Sequence, residues 1–556
     1  FGGWVPWGLV PAAALERVEV LSGGASDLYG SAALAGVVQL LRREPAAGER
    51  VADLSAGGQG TAAGSAWAAA RAGRWAGAVA LQGLTSDGHV PVAAEDRGPV
   101  DVPAGSAHAA AELSLERLPE AGGGGAHLTL RGGVFDEERD NGTSLQENAR
   151  QIRHASLGVD RALGTGTLTA RAWGSDQDFF QTFTAVAADR ASERLVRDQR
   201  VPAERLGGSA RWIGSPGRPG TRHTLVAGVE AGRSEGVSEE RLFLPDRVLR
   251  SAAGGVQEEA ALFVEDLVAA APGLSLAASL RLDRWRNEPS EPEAGAARSE
   301  SALSPRLALR WQPRAAWGVT ATGYRSFRAP TLNELYRGFR VGDVVTEPNP
   351  ELEAERLTGA EAGIVWTPER EALDLRLRAT LFWMRLDDPI ANVTLSVSPD
   401  LIERQRRNLG RTRSRGLELE ADARLGERWL LAAGYLLADA EIEEFPADRA
   451  LEGLRVTQVP EHQASLQLRR RGRRADAVVH ARWSGEQLDD DRNLFPLEEL
   501  FLVDLRTGWR LTPALELYLA AENLLDEEVT VGRTPLRTIG SPRLLRLGLR
   551  WDRRAD

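Results

Sequence analysis

From about residue 50 onward, apolar and polar side chains alternate in runs of about ten residues, the period of two that a strand with one apolar face requires. In residues 274–283, Leu274, Leu276, Ala278, Leu280 and Leu282 share one face, while Ser275, Ser279, Arg281 and Asp283 share the other. Leu373, Leu375, Leu377, Ala379, Leu381 and Trp383 oppose Asp374, Arg376, Arg378 and Thr380 in the same way. So do Leu417, Leu419, Ala421 and Ala423 against Glu418, Glu420, Asp422 and Arg424. A helix would spread these charges around its circumference, so the pattern predicts strands and an all-β protein.

Twenty-two such segments can be marked, from 51–58 and 65–72 at the start to 514–523 and 543–551 at the end, each boundary placed to within about three residues. The gaps between them alternate in length. One set is tight, about two to eight residues, with turn formers such as Ala271-Pro272-Gly273, Leu425-Gly426-Glu427 and Leu511-Thr512-Pro513. After the first gap, the other set runs to about fifteen to thirty residues, as in 176–205 and 327–355. An up-and-down meander puts alternate connections on opposite rims, so only one rim carries elaborate loops. Outer-membrane barrels have this asymmetry, an even strand number, and strands of about nine to eleven residues tilted near 45°. The expected fold is therefore a 22-stranded antiparallel transmembrane β-barrel over residues 51–551, followed by a 552–556 tail. A soluble propeller or stacked sandwich is the competing reading; a propeller would repeat every forty to fifty residues, and no such repeat is present.

Composition narrows the chemistry. The 556 residues contain no Cys, which removes disulfides, thiolate catalysis, Cys-bound zinc and iron–sulfur clusters. The net charge of −11 and the lack of a basic block argue against nucleic acid as a partner. No window approaches eighteen uninterrupted apolar residues, so a helical membrane span is not expected.

Residues 1–43 do not follow the strand pattern; they are Gly-rich and end in Val37-Val38-Gln39-Leu40-Leu41. The run Arg17-Val18-Glu19-Val20-Leu21, followed by Gly23-Gly24-Ala25-Ser26-Asp27-Leu28-Tyr29-Gly30 and then Gly36-Val37-Val38, resembles the closing part of the plug domain of TonB-dependent outer-membrane receptors. The chain departs from the family pattern at Ser22, where Arg is usual, and at Ala35, where Gly is usual. Further resemblances follow in family order: Phe263-Val264-Glu265-Asp266, Ser304-Pro305-Arg306-Leu307, Phe327-Arg328-Ala329-Pro330-Thr331-Leu332-Asn333-Glu334-Leu335-Tyr336, Asn408-Leu409-Gly410, and Ala521-Glu522-Asn523-Leu524-Leu525-Asp526. The plug residues that carry the motif are Arg17, Glu19, Gly23, Tyr29, Gly30 and Gly36.

The resemblance implies an active importer of the bacterial outer membrane, not an enzyme, with no cofactor. Its implied partners are TonB with its inner-membrane energising complex, outer-membrane lipid, and a small metal chelate as cargo, a ferric siderophore first and cobalamin, haem or an oligosaccharide behind. It also implies that a signal peptide, the TonB-contacting box and most of the plug lie upstream of Phe1. A passive channel or adhesin with a vestigial plug is the alternative.

Recognition is expected in the long connections, because loops on a rigid scaffold carry function. The 176–205 stretch offers Phe179, Phe180 and Phe183, and the 327–355 stretch offers Arg328, Tyr336, Arg337 and Arg340. Aromatics can stack on a chelate and Arg can pair with its anionic oxygens; packing of the loops against one another is the competing role. The seven His are scattered without ligand spacing, and no metal site is expected. Asp489-Asp490-Asp491 could hold Ca²⁺ at a rim or serve as a solvated charge run. The Gly122–Gly125 run lacks a P-loop Lys and reads as a turn.

Overall fold

Leu280 and Leu282 are 43% and 49% exposed, whereas Arg281 and Asp283 beside them are 3% and 7% exposed. The same inversion holds where Leu113 and Leu115 face out and Glu112 and Glu116 are buried. Alternating strands have therefore closed with their polar face inward and their apolar face outward. The computed structural model describes residues 5–120, 125–216, 222–291, 295–341, 344–368, 373–398 and 401–553; most of the Gly122–Gly125 run lies outside the described residues.

An N-terminal hairpin, β1 (Leu15–Ser22) and β2 (Gly36–Arg42), precedes the barrel. The first half of the wall is β3 (Arg50–Gly57), β4 (Ala62–Ala72), β5 (Trp75–Ser86), β6 (Ser106–Arg117), β7 (Ala126–Asp140), β8 (Glu147–Leu163), β9 (Gly166–Val186), β10 (Glu193–Gly214), β11 (His223–Phe243), β12 (Val248–Ala271) and β13 (Leu274–Pro289). The second half is β14 (Arg298–Arg314), β15 (Trp317–Arg328), β18 (Glu355–Trp366), β19 (Leu373–Asp387), β22 (Arg411–Leu425), β23 (Trp429–Glu444), β24 (His462–Arg471), β25 (Ala475–Ser484), β28 (Leu500–Arg510), β29 (Leu515–Glu522) and β32 (Leu544–Arg553). Each pairs antiparallel with the next, and β32 pairs with both β29 and β3, so all twenty-two close into one sheet without an edge. The long connections carry a small sheet of β16 (Phe339–Val341), β17 (Val344–Glu347), β20 (Ile390–Ser398) and β21 (Leu401–Asn408), and the short pairs β26 (Gln487–Leu488) with β27 (Pro496–Leu497) and β30 (Thr530–Gly532) with β31 (Thr538–Ile539).

Every expected segment coincides with one barrel strand, but the wall is taller than expected on one side. The 176–205 stretch is not a loop: β9 runs to Val186 and β10 starts at Glu193, leaving a tip of only a few residues. Likewise β11 and β12 continue to Phe243 and from Val248. Above the lipid both faces are wet, so the apolar half of the alternation is lost while the ladder continues. Cross-strand ion pairs such as Arg200 with Asp178 (2.6 Å) and Arg233 with Glu258 (3.2 Å) replace it.

Outward residues grade with height. At the short-turn rim stand Trp75, Trp311, Trp317, Trp366, Trp429 and Trp509, with Trp317 and Trp366 stacked at 5.8 Å. Leucines such as Leu54, Leu262, Leu307 and Leu381, each at least 60% exposed, fill the band above. A second aromatic level holds Trp383, Tyr435 and Trp483; the Tyr435 and Trp483 rings flank His462 at 6.2 and 6.4 Å. On β23, which carries both levels, Trp429 and Tyr435 stand six residues apart, about 14 Å of height at about 3.3 Å per residue and a tilt near 45°.

Candidate functional site: the lumen and its wide mouth

The N-terminal segment lies inside the barrel, because every wall residue it touches belongs to the inward face. It is tied to two separate sectors of wall. Toward β5 and β6, the Ala12 N–H donates to Gln82 Oε1 (2.8 Å) and Arg42 pairs with Glu112 at 2.6 Å. Toward β13, β14 and β15, the Ser279 hydroxyl donates to Asp27 (2.5 Å), Arg306 donates to the Gly24 carbonyl (2.8 Å) and the Ala329 N–H donates to Ser31 Oγ (2.9 Å). The short helix α1 (Ser26–Tyr29) sits between these contacts, with Ser26 and Asp27 buried.

Its glycines are required by this crowding. Gly23 and Gly30 have φ of +80° and +69°, and a Cβ would come within 2.2 Å of the Glu361 carboxylate at the first and 2.7 Å of the Arg281 guanidinium at the second. A Cβ at Gly36 would meet the Leu21 carbonyl oxygen on the facing strand at 2.9 Å. Arg17 pairs with Glu19 (2.7 Å) on the exposed face of β1, and Tyr29 is exposed, bonded to Gln39. On the short-turn side, a luminal cavity of about 870 Å³ is lined by Arg469, Arg506, Arg546 and Arg550 with Asp53 and Asp476.

At the mouth, the chain after β15 folds back as helix α2 (Leu332–Tyr336). Thr331 and Glu334 form a capping box, a spacing visible in the sequence, in which each side chain bonds the other's main-chain N–H. Arg328 braces this cap by donating to Glu334 (2.9 and 3.0 Å) and pairing with Glu355. Burial is the largest influence on the Glu334 carboxyl and pushes its pKa up, but the Arg328 and Thr331 hydrogen bonds outweigh it and hold the carboxyl below the usual value. Leu332, Leu335, Tyr336 and Leu352 form a closed apolar cluster with Ile390.

Arg337, 2% exposed, donates to Gln199 (2.6 Å), Gln181 (3.2 Å) and Asn333 (3.2 Å) and lies over the Phe179 ring at 5.8 Å. Burial pulls its pKa down to about 10, so it remains a cation at neutral pH. Arg150 approaches the same Phe179 ring at 5.2 Å. Arg406 donates to the Asn333 and Arg337 carbonyls (3.0 and 2.9 Å), which ties α2 to β21.

The structure thus gathers Phe179, Tyr336 and Arg337 with Arg328 nearby in one buried assembly under the mouth. Phe183 is buried on the same face of β9 as Phe179, and Phe180 is on the opposite, outer face. Arg340 has its backbone in β16, and its side chain lies outside the described residues. Asp489 accepts from the Arg533 and Thr534 N–H groups, and Asp490 from those of Leu494 and Phe495, so these carboxylates are engaged in holding loops. Sequence reasoning missed Gln181, Gln199 and Arg150, which carry no local signal; Gln181 and Gln199 meet Arg337, and Arg150 shares the Phe179 ring with it, only where α2 folds back against β8 to β10.

A family model described as "TonB dependent receptor-like, beta-barrel" matches residues 110–524. The probable TonB-dependent receptor BfrD of Bordetella pertussis is 25% identical over 171 residues, 31% of this chain; the match spans about a fifth (21%) of that protein. Among solved structures, the ferric yersiniabactin uptake receptor FyuA from Yersinia pestis is similar at a TM-score of 0.79 and 14% identity, covering 97% of this chain and 85% of that one. The copper transporter OprC superposes at 0.81 with 17% identity (97% and 86% covered), and the siderophore receptor PiuA from Acinetobacter baumannii at 0.76 with 15% identity (97% and 87%). These structural likenesses establish the shared fold. With three quarters of its length matched by the family model, including most of the strands that close the barrel, the chain belongs to the TonB-dependent receptor family.

Proposed function

We propose that this protein is an active importer of the outer membrane of a Gram-negative-type bacterium, carrying a scarce metal chelate, in the first instance a ferric siderophore, into the periplasm with energy delivered by TonB. The observation that carries the reading is the inside-out barrel whose lumen is crossed by a segment tied to separate sectors of wall mainly through polar contacts, with only small apolar contacts at Leu9, Ala13 and Ala14. Polar contacts in a wet lumen exchange with water at small net cost, so such a segment can shift without unfolding the wall. Residues 1–43 act as the closing part of the plug, and α1 with Tyr29 faces the cargo.

The mouth supports an anionic chelate. Arg150, Arg337 and Arg406 gather positive charge there, while Arg328 is neutralised by Glu334 and Glu355, and Phe179 and Phe183 give aromatic packing beneath it. Arg337 and Phe179 shape the pocket by fixing α2 against β9 and β10, and neighbouring side chains make the outer contacts. The reported ligands of similar receptors, ferric yersiniabactin for FyuA and siderophores for PiuA, agree with a chelate as cargo. The test is a binding screen of ferric catecholates, hydroxamates and carboxylates against the purified full-length protein by tryptophan fluorescence quenching. At least one ferric chelate should bind, with its iron-free form binding more weakly; failure of every ferric chelate would overturn the choice of cargo.

A further inference from the structure

We propose that the short turn between β24 and β25, on the periplasmic side of the barrel, holds the headgroup of an anionic phospholipid of the periplasmic leaflet. The proposal rests on the outer-membrane reading above. Five of the six residues 469–474 are Arg, with Gly472 among them. Arg469 faces the lumen and approaches Asp476 at 3.9 Å. Arg470 faces outward, because it continues the alternation of Leu466 and Leu468 and lies opposite Trp429 on β23. Arg471, Arg473 and Arg474 form the turn itself, with Arg428 and Arg510 on the turns to either side. Main-chain bonds brace it from both sides: the Arg471 N–H donates to the Arg428 carbonyl (2.7 Å) and the Arg510 N–H to the Arg474 carbonyl (2.8 Å). The Arg510 guanidinium adds a bond to the Arg473 carbonyl (3.3 Å). The backbone that carries these side chains is therefore set before a ligand arrives.

Their charges lack counter-ions within the protein. Arg428, Arg470, Arg471, Arg473 and Arg474 are exposed and make no ion pair among the described residues. Asp476 faces the lumen between Arg469 and Arg506, and Glu516 takes Arg506 at 2.5 Å. Glu427, on the turn beside Arg428, pairs with none of these arginines. Elsewhere on this rim arginines stand singly, as Arg117 on β6, Arg161 on β8 and Arg314 on β14. Arg74, on the turn after β4, is matched by Glu120 (2.7 Å), and the turns at 163–166 and 271–274 carry no charge. The dense basic cluster thus belongs to one hairpin.

What stands beside the cluster selects the occupant. Trp429 and Trp509 flank the hairpin, about 14 Å apart across three strand spacings, and Trp509 lies opposite Ala475, the first residue after the turn. Both rings are exposed, as are Leu425 and Leu511 near them, and Leu466 and Val479 continue the outward apolar face into the lipid band. Amphipathic rings at this level mark the headgroup layer. A ligand that meets both levels carries acyl chains beside an anionic head, which inorganic phosphate lacks. Guanidinium forks bind phosphate oxygens, while clustered like charges repel the ammonium of a zwitterionic headgroup.

The test uses the full-length protein in neutral-detergent micelles, titrated with phosphatidylglycerol, phosphatidylethanolamine or inorganic phosphate, with bound ligand counted by native mass spectrometry. The parent should bind phosphatidylglycerol about tenfold more tightly than either of the others. The triple variant R470Q/R473Q/R474Q should bind phosphatidylglycerol about tenfold more weakly than the parent, and R473Q alone about threefold more weakly. The control R117Q/R161Q/R314Q removes the same charge from other sectors of the same rim and should stay within about twofold of the parent. Heat-modifiable migration on gels confirms that each barrel is folded. Undiminished phosphatidylglycerol binding by the triple variant, equal loss in the control, or equal binding of phosphatidylethanolamine or inorganic phosphate by the parent would overturn the site. Failure of the parent barrel to insert into lipid vesicles would instead overturn the membrane reading itself.

Discussion

At the residue scale, Arg337 joins the Asn333 amide of its own helix to two amides from distant strands, Gln181 and Gln199, and holds a helix to the wall. Arg337→Met leaves Gln199, Gln181 and Asn333 with buried polar atoms unsatisfied, a local cost of about 3 kcal/mol. It should raise hydrogen exchange across residues 329–352 while the barrel strands stay protected, and Arg337→Lys should restore little because one ammonium cannot serve a three-way fork. None of this was legible in the sequence. Arg337 stood out there as a cation for a ligand, but Gln181 and Gln199 lie 156 and 138 residues away and announce themselves by no spacing. The glycines were legible, since Gly23 and Gly30 fall in a compact motif. Gly30→Ala forces a strained φ and a clash with Arg281, and should loosen residues 23–33 by about 1–3 kcal/mol, read as protease cleavage in that segment.

A pH effect belongs to this scale too. Arg190 at the tip between β9 and β10 donates to the buried Asp101 carboxylate (2.7 Å), tying that tip to the connection between β5 and β6. Burial is the largest influence on Asp101 and pushes its pKa up, but the bonds from Arg190 and the Gly98 N–H outweigh it and leave the carboxyl below its ordinary value. A depressed carboxyl pKa means the tie is fully present above about pH 4 and is lost as pH falls through the lower, folded value. Exchange of amides in residues 98–105 should therefore rise only in acid, and Asp101→Asn should show the raised rate at neutral pH.

At the scale of elements, what decides legibility is which solvent each face meets. Within the membrane band one face meets lipid and the other water, so Leu280 and Leu282 alternate with Arg281 and Asp283 and the strand is readable. Above the band the outer face also meets water, and on β9 to β11 it carries Asp176, Asp178, Arg200 and Arg233 where apolar side chains would meet lipid; the ladder continues but its signature does not. The small sheet of β16, β17, β20 and β21 was hidden for another reason: its strands are only three to nine residues long, and the pairing that joins its two hairpins, β17 with β21, spans more than fifty residues of chain. The same argument makes a depth-dependent prediction. Leu282→Arg, in the lipid band, should cost about 2–4 kcal/mol in urea unfolding from vesicles, whereas Glu235→Arg, on the hydrated extension of β11, should cost under about 1 kcal/mol.

At the scale of the whole molecule, a closed wall without edges surrounds a lumen in which a short segment is fastened by hydrogen bonds, ion pairs and two small apolar contacts, Ala13 and Ala14 against Trp67 and Leu9 against Phe135. In the proposed importer the wall is the rigid part and the segment the movable part. Uptake of iron-55 by cells producing the full-length protein, with and without a functional TonB, tests this most directly. The account predicts accumulation of at least one labelled ferric chelate that requires both the protein and TonB. Equal accumulation without TonB, or no protein-dependent accumulation of any ferric chelate, would contradict it.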